Sequence, residues 1–304
     1  MDLNKVVNDI FREVTPLASK GKVANYIPAL ANISPNLLSI SVHMVNGDSH
    51  SVGDSCIPFS IQSISKVFGF TLAYKKLGGD IWMRLGKEPS GNAFNSLVQL
   101  EYEKGIPRNP FINAGALVIS DMLLSLYPNP QQALLDFVRR IADEPSISYN
   151  IEVAKSEKAT GYRNAALAYF MKSFGNIHNA VDDVLDFYFL QCSLEMSTDC
   201  LSKSFLYLAN HGIVPYTNEQ ILTMSQAKRI SALMITSGLY NESGDFAYRV
   251  GMPAKSGVGG GIVAIIPKKL SICVWSPPLN EYGNSLSGIE ALERFTSYTG
   301  ESVF

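Results

Sequence analysis

The amino-acid sequence predicts a mixed α/β fold, in which an antiparallel sheet is flanked by helices and an all-helical region is inserted between its strands. Strand patterns lie toward both ends of the 304-residue chain, at 37–55 and 261–275, whereas helical patterns dominate 85–222. Turn signals join neighbouring strands within each end region. Because short turns connect antiparallel neighbours, these observations favour an antiparallel sheet built from both ends of the chain.

An amphipathic helix comes first, indicated by apolar residues at helical spacing: Val6, Val7, Ile10, Phe11 and Val14. Apolar and polar side chains then alternate over 37–45, which predicts a half-buried strand. The Asn-Gly-Asp sequence at 46–48 is a hairpin turn signal, so 50–55 is expected to return as the second strand. A helix is predicted over 63–77.

Helical periodicity dominates the centre of the chain. We expect helices over 114–126, 131–141, 164–174, 180–191, 198–211 and 228–235. Two apolar runs, 261–266 and 270–275, are separated by a proline and two lysines, which predicts a second hairpin. A closing helix follows, and its core side is marked by Leu286, Ile289, Leu292 and Phe295.

The order of these elements predicts a single domain over 1–304 with two lobes. An α/β lobe takes about 1–80 and 225–304, and a helical lobe takes about 81–224. Clefts between lobes of this kind are common ligand sites, so we expect the functional site there.

Composition excludes several classes of protein. Net charge is −2, so there is no electrostatic basis for nucleic acid or an anionic membrane as partner. No apolar run approaches the ~18 residues of a membrane span, and no signal peptide is recognisable, so a cytoplasmic protein is expected. Four cysteines without C-x-x-C spacing indicate reduced thiols, and four histidines without an H-E-x-x-H pair argue against a zinc hydrolase.

Ser63 and Lys66 carry the first chemical signal. On a helix this spacing places both side chains on one face, with about 5–6 Å between Cβ atoms. A serine attacks a carbonyl at neutral pH only when a neighbour takes its proton, and a lysine one turn away is one solution. Apolar neighbours such as Phe59 and Phe68 should bury the amine and lower its pKa from about 10.4. A capping serine beside a lysine that reaches solvent is the alternative interpretation.

The S-x-x-K spacing alone is weak, because it recurs at 19–22 and 225–228. The first copy is typical of a solvated loop, and Ser225 is expected to cap a helix. Downstream of Ser63, the Lys-Ser-Gly sequence at 255–257 precedes an apolar strand. A K-[ST]-G strand beside the serine helix is the arrangement of penicillin-recognising serine hydrolases, although a plain polar start of a strand also explains it.

Six segments, in order between about residues 26 and 287, resemble the serine-dependent glutaminase family. They are Tyr26-Ile27-Pro28-Ala29-Leu30, Gln62-Ser63-Ile64-Ser65-Lys66, Asn109-Pro110-Phe111-Ile112-Asn113-Ala114-Gly115-Ala116, Asp186-Phe187-Tyr188-Phe189, Ala254-Lys255-Ser256-Gly257-Val258 and Trp275-Ser276-Pro277-Pro278-Leu279. The chain is identified as a bacterial-type member, which implies a β-lactamase-like fold.

The resemblance implies hydrolysis of L-glutamine to L-glutamate and ammonia through an acyl-enzyme, with no metal or organic cofactor. It implies that Ser63 is the nucleophile and that Lys66 activates it. The backbone amides of Ser63 and Val258 would form the oxyanion hole. Tyr188 would hydrogen-bond with the nucleophile or Lys66, and Tyr240 would move protons between the attacking oxygen and the departing ammonia.

The resemblance also implies a substrate-binding set, which comprises Tyr26, Asn113, Glu157 and Asn164 together with Ser63, Tyr188, Tyr240 and Val258. A glutamate can neutralise an ammonium group, and two amides can donate to a carboxylate. Taken alone, each residue has a structural explanation: Asn113 could cap a helix at 114, Glu157 could be a solvated charge, and the tyrosines could be core aromatics. A homodimer or homotetramer is implied as well.

Two other classes of protein share parts of the pattern. A penicillin-binding or β-lactamase-type hydrolase would use Ser63 and Lys66 on a different carbonyl, and such enzymes normally work outside the cytoplasm. A catalytically inactive amino-acid-binding module would keep Asn113, Glu157 and Asn164 without needing a nucleophile. Release of ammonia from glutamine separates the three hypotheses.

Overall fold

The structure, a computed structural model, describes residues 2–90 and 97–304. Its strands are β1 Ser39–Met44, β2 Ser49–Gly53, β3 Phe59–Ser60, β4 Ser148–Tyr149, β5 Leu194–Met196, β6 Ala254–Ser256, β7 Gly261–Ile266 and β8 Leu270–Trp275. Its helices are α1 Leu3–Val14, α2 Ser65–Leu77, α3 Leu97–Tyr102, α4 Asn113–Leu126, α5 Pro130–Ala142, α6 Ile151–Thr160, α7 Tyr162–Ser173, α8 Val181–Cys192, α9 Thr198–Ser204, α10 Leu206–Ala209, α11 Met224–Ser237, α12 Ser243–Arg249 and α13 Leu286–Thr299.

Strands from both ends of the chain share one sheet, in the order β2-β1-β8-β7-β6. Every neighbouring pair is antiparallel. The central pair joins the two ends, because β1 aligns with β8 from Ser39 opposite Trp275 to Met44 opposite Leu270. The predicted mixed α/β class with an antiparallel sheet is therefore confirmed, and β7 and β8 have the bounds that the apolar runs predicted.

Both faces of this sheet are covered. Alternate residues of β7, such as Ile262 and Ala264, join α1 and α13 in one core cluster. The residues between them, Val263 and Ile265, join Trp275 and the central helices in a second, larger cluster. Because side chains of a strand alternate between faces, burial on both sides explains why β7 and β8 are continuously apolar.

Helix α2 runs through the larger cluster and packs against α4 and α8. Each of its residues from Ser65 to Tyr74 is buried. A helix that is buried on all sides has no solvated stripe, so its sequence shows little amphipathic pattern. This packing fixes the position of the chain that leads into α2, which carries Ser63.

Short elements in the centre of the chain differ from the predictions. The strands β3, β5 and β4 form a second small sheet in that order, and two-residue strands are too short to show periodicity. The helix predicted over 198–211 is instead divided into α9 and α10 at Phe205, whose N–H bonds with the carbonyl of Ser202. The segment from Phe205 to Ala209 is entirely buried, so its apolar pattern carries no sign of the break.

The start of α11 corrects another prediction. Ser225 does not cap this helix; Thr223 does. The Thr223 hydroxyl accepts from the Gln226 N–H at 3.2 Å, and the Gln226 side chain accepts from the Thr223 N–H at 3.0 Å. This reciprocal pair satisfies two N–H groups at once, which a serine two residues later cannot do.

The division into two lobes near residues 81 and 224 stays a prediction. Within the part of the chain that the structure describes, no helix combines the length and apolar character needed to cross a bilayer.

Asp121 of α4 ties three segments of the helical region together. Its side chain is fully buried and pairs with Arg84, while the backbone N–H groups of His178 and Asn179 donate to it at 3.0 and 2.7 Å. Burial by itself raises the pKa of this carboxyl, but the hydrogen bonds from Asn179, Arg84 and His178 lower it overall. The charged form is therefore part of the folded structure.

We expect Asp121→Asn to destabilise the protein by about 3 kcal/mol, because it leaves the partly buried Arg84 without its counter-charge. Urea unfolding measures this loss. Asp183→Asn, the same change at an exposed position, is the control and should alter stability by less than about 0.5 kcal/mol. Equal effects of the two substitutions would contradict a structural role for the buried pair.

Candidate active site

A cavity of about 230 Å³ lies where the chain before α2 meets α4, α6, α7, α8 and the turn between β6 and β7. Its lining includes eight of the nine predicted site residues: Tyr26, Ser63, Asn113, Glu157, Asn164, Tyr188, Tyr240 and Val258. The ninth, Lys66, is buried and bonds with Asn113. The cavity is smaller than the ~300–1,000 Å³ of drug-sized ligand sites, which suits a ligand the size of one amino acid.

Ser63 lies in a 3₁₀ turn, Gln62–Ile64, that leads directly into α2. Only 8% of the residue is exposed. The preceding residue, Gln62, has a φ of +51°, a left-handed conformation that residues other than glycine rarely adopt. Such a conformation persists only where the surroundings hold it, and it is common next to functional groups.

Two glycines bring the β6–β7 turn against the turn that carries the serine. A Cβ on Gly257 would lie 2.4 Å from the carbonyl oxygen of Ile61, and a Cβ on Gly259 would lie 2.1 Å from that of Ser60. Only glycine allows this approach of two backbones. Val258, between the two glycines, therefore borders the same cavity as the serine.

The Lys66 amine is buried, with 1% of the residue exposed. Nζ donates to the carbonyl oxygen of Phe111 at 3.2 Å and to Oδ1 of Asn113 at 2.7 Å. Burial lowers the pKa of Lys66 to about 8, although Cys192 and Glu157 favour the charged form. A neutral amine has two N–H bonds, and two acceptors are present, so its lone pair is left to accept a proton.

Glu157 is also buried, which excludes the alternative of a solvated charge. Its Oε1 accepts from Gln62 Nε2 at 3.0 Å, and Gln62 Nε2 also donates to Ser60 Oγ at 2.9 Å. Burial raises the pKa of Glu157 to about 7, while the hydrogen bond from Gln62 and the charge of Lys66 oppose this change. Among residues 2–90 and 97–304, no lysine or arginine forms an ion pair with this carboxylate, so its charge is not fully stabilised.

Asn113 does not cap α4, because the helix begins at Asn113 itself and follows Ile112. Its Nδ2 donates to Asn164 Oδ1 at 2.9 Å, and its Oδ1 accepts from Lys66. In the turn before the helix, Asn109 Oδ1 accepts from the N–H groups of Phe111 and Ile112. Asn113 therefore connects the buried amine with a second amide of the cavity wall.

Two tyrosines stand over the serine and the lysine. The Tyr240 hydroxyl is buried close to the side chain of Ser63; burial raises its pKa, and the nearby Ser63 hydroxyl opposes the rise. Burial raises the pKa of the Tyr188 hydroxyl, with Cys192 and Glu157 contributing, and the centroid of its ring lies 5.9 Å from Lys66 Nζ. Both tyrosines line the cavity together with Ser63.

Tyr26 lies at the mouth of the cavity, with 58% of the residue exposed. Burial of its hydroxyl, with Tyr240 and Glu157 nearby, raises the pKa of that group, so the hydroxyl end faces the cavity. Behind Tyr240, Lys255 is fully buried; its Nζ donates to the carbonyl oxygen of Gly238 at 2.9 Å and lies 4.7 Å from the Tyr240 ring.

Sequence reasoning missed several lining residues, which are Ile27, Gln62, Thr160, Gly161, Arg163 and Cys192. Position alone offered a signal for some of them, because Gln62 precedes Ser63 and Cys192 lies one helical turn after Tyr188. Within residues 2–90 and 97–304, no three histidine, cysteine, aspartate or glutamate side chains gather in a way that could hold a metal ion.

An antiparallel sheet with helices on both faces, and a serine and a lysine at the start of a buried helix, define the β-lactamase-like class of proteins. A family model described as Glutaminase matches residues 21–304. The chain belongs to the glutaminase family.

Named relatives agree across the whole length. The chain is 56% identical to the Glutaminase of Aliarcobacter butzleri over 305 residues and 54% identical to that of Marinomonas sp. over 302 residues, and it covers 100% of each. A solved probable glutaminase from Bacillus subtilis, complexed with 6-diazo-5-oxo-L-norleucine, is 34% identical with a TM-score of 0.90, over 100% of this chain and 98% of that one. The predicted family, fold and enzyme class are confirmed.

We expect Glu157→Gln to stabilise the unliganded protein more at pH 8 than at pH 5. The folded carboxyl titrates at about 7 instead of its ordinary 4.5, so the folded state holds a proton that the unfolded state releases between these values. Wild-type stability therefore falls as the pH rises through this interval, by up to about 3 kcal/mol, whereas glutamine does not titrate.

Urea unfolding of both proteins at the two pH values measures this difference. Glu152→Gln changes an exposed glutamate of the same helix and should leave the pH dependence of stability as in wild type. A Glu157→Gln difference that is independent of pH would contradict a raised pKa at Glu157.

Proposed function

We propose that the protein hydrolyses the side-chain amide of L-glutamine to L-glutamate and ammonia through an acyl-enzyme on Ser63. One observation carries the proposal: a serine and a buried amine of lowered pKa adjoin a cavity of single-amino-acid size whose wall carries a carboxylate and two amides. The solved relative contains 6-diazo-5-oxo-L-norleucine, a glutamine analogue, which supports the same substrate for this chain.

Recognition of the amino-acid end of the substrate is assigned to Glu157, Asn113 and Asn164. Glu157 is a buried carboxylate, so an incoming ammonium group would supply the missing counter-charge and lower the pKa of the carboxyl. The amides of Asn113 and Asn164 provide N–H donors for the α-carboxylate, and Arg163 adds positive charge to the same wall. Tyr26 would close the mouth of the cavity over the bound molecule.

The chemical step begins with proton transfer from the Ser63 hydroxyl to the lone pair of Lys66 Nζ. The Ser63 oxygen forms a bond to the carbon of the side-chain amide, and the C=O electron pair moves onto oxygen. The backbone N–H groups of Ser63 and Val258 would stabilise this oxyanion, and removal of one such donor typically costs ~2.7–4 kcal/mol. The close approach at Gly257 and Gly259 supports their convergence.

Collapse of the tetrahedral intermediate breaks the C–N bond, and the nitrogen leaves as ammonia after receiving a proton. Tyr240, which contacts Ser63, would deliver this proton, and the protonated Lys66 would restore it. Water then hydrolyses the ester by the same steps in reverse. In this scheme the ring of Tyr188, whose centroid lies 5.9 Å from Lys66 Nζ, orients the lysine. The hydrogen bond to the nucleophile or Lys66 that the family resemblance implies for its hydroxyl stays a prediction.

Location and assembly stay predictions for this chain. Cytoplasmic location follows from the sequence analysis, and a homodimer or homotetramer follows from the family resemblance.

Ser63→Ala should abolish release of ammonia from glutamine, with kcat reduced by at least about 10³-fold, because the acyl-enzyme cannot form. The matched control is Ser225→Ala, which changes the exposed serine of the other helical S-x-x-K copy and should leave kcat unchanged. Intact-mass analysis after treatment with 6-diazo-5-oxo-L-norleucine should find one adduct on wild type and none on Ser63→Ala.

Activity that survives in Ser63→Ala would eliminate the nucleophile assignment. Turnover of nitrocefin without turnover of glutamine would favour a lactam hydrolase. Glutamine binding without ammonia release from wild type would favour an inactive amino-acid-binding module.

A further inference from the structure

Glu242 is a buried carboxylate for which the proposed reaction has no use. It ends the 3₁₀ turn Tyr240–Glu242, and 7% of the residue is exposed. In the described part of the chain its hydrogen-bond partners are amides and not cations. A carboxylate in the interior is costly unless several donors satisfy it, so its presence two residues from Tyr240 needs a reason.

Two asparagine side chains satisfy the Glu242 carboxylate. Asn280 Nδ2 lies 3.0 Å from Oε1 and 2.9 Å from Oε2, and Asn284 Nδ2 donates to Oε2 at 2.6 Å. Both asparagines belong to one loop, which is closed by Asn280 Oδ1 accepting from the N–H groups of Tyr282 and Asn284. Glu242, Asn280 and Asn284 are together named the Glu242 clamp.

The clamp touches the segment of Tyr240 at two points. Asn284 Nδ2 also donates to the carbonyl oxygen of Leu239 at 3.3 Å. Gly283 lies against the aromatic ring, because a Cβ built on it would be 3.8 Å from Cε2 of Tyr240. Tyr240 itself has a φ of +51°, a conformation that its neighbours must hold in place.

We propose that the Glu242 clamp is a positioning device for catalysis, which fixes the Tyr240 hydroxyl over Ser63. This inference rests on the proposed function. Three features carry it: a buried carboxylate satisfied only by amides, a left-handed tyrosine two residues before it, and a loop that contacts both. Because Asn113 and Glu157 lie on other elements, loss of the clamp should lower kcat and leave substrate binding largely intact.

The test exchanges donor and acceptor across the clamp. In Glu242→Gln, Nε2 faces the Nδ2 donor of Asn280, so one hydrogen bond of the clamp is lost. We expect kcat for glutamine to fall about 10–100-fold, because a displacement of a catalytic group by about 1 Å, here the Tyr240 hydroxyl, costs on the order of 100-fold. KM should stay within about threefold of wild type. In the double variant Glu242→Gln with Asn280→Asp, the new amide can donate to the new carboxylate, while Asn284 still has an oxygen acceptor. This variant keeps the net charge and should return kcat to within about fivefold of wild type.

Glu281→Gln is the matched control, because it makes the same chemical change at an exposed position of the same loop; its kcat should equal that of wild type. Thermal unfolding accompanies every kinetic measurement. The ¹³Cζ signal of Tyr240, assigned with Tyr240→Phe, should shift in Glu242→Gln and return in the double variant. This second readout does not depend on the reaction.

Wild-type kcat in Glu242→Gln would overturn the proposal, as would a loss of stability and kcat that the double variant does not reverse. If wild type releases no ammonia, the proposed function fails, and the Tyr240 signal alone decides whether the clamp positions the tyrosine. If Glu242→Gln does not fold, an active double variant supports the proposal and a folded but inactive one contradicts it.

Discussion

Burial of the Lys66 amine is the physical constraint on which the rest of the site depends. Among the residues that the structure describes, the groups that accept hydrogen bonds from Nζ are neutral oxygens of Phe111 and Asn113, so no carboxylate there pairs directly with the amine. The protein can hold a neutral amine there because α2, α4 and α8 exclude water from around it. The same packing places Ser63 at the cavity and buries Glu157, which raises the pKa of its carboxyl. The site therefore depends on the unfavourable burial of two ionisable side chains, Lys66 and Glu157.

Much of the sheet and the pairing of Ser63 with Lys66 could be predicted from the sequence because the signals are local. The two apolar runs at 261–266 and 270–275 match β7 and β8, since strands covered on both faces must be apolar throughout. The Ser63–Lys66 spacing is a property of one helix and its first turn. Resemblance to the glutaminase family supplied the other predicted lining residues, of which Glu157, Asn164 and Tyr240 lie outside the six matching segments. The roles of these residues stay proposals.

The remainder depends on contacts between distant parts of the chain. The approach of Gly257 and Gly259 to the backbone of Ser60 and Ile61 requires the folded sheet, and spacing along the sequence does not encode it. For the same reason the hydrogen bond between Gln62 and Glu157 had no local signal. The two-residue strands β3 and β4 are too short for any periodicity, and they form only because β5 lies between them.

The most direct measurement of the central claim is the pKa of Lys66 in the unliganded protein. A titration of the lysine ¹³Cε signals by NMR, assigned by the resonance that Lys66→Met removes, reports the protonation of this amine without any assumption about substrate. The account predicts a transition near pH 8. A Lys66 signal that titrates at about 10.4 or above, as a solvated lysine does, would contradict it.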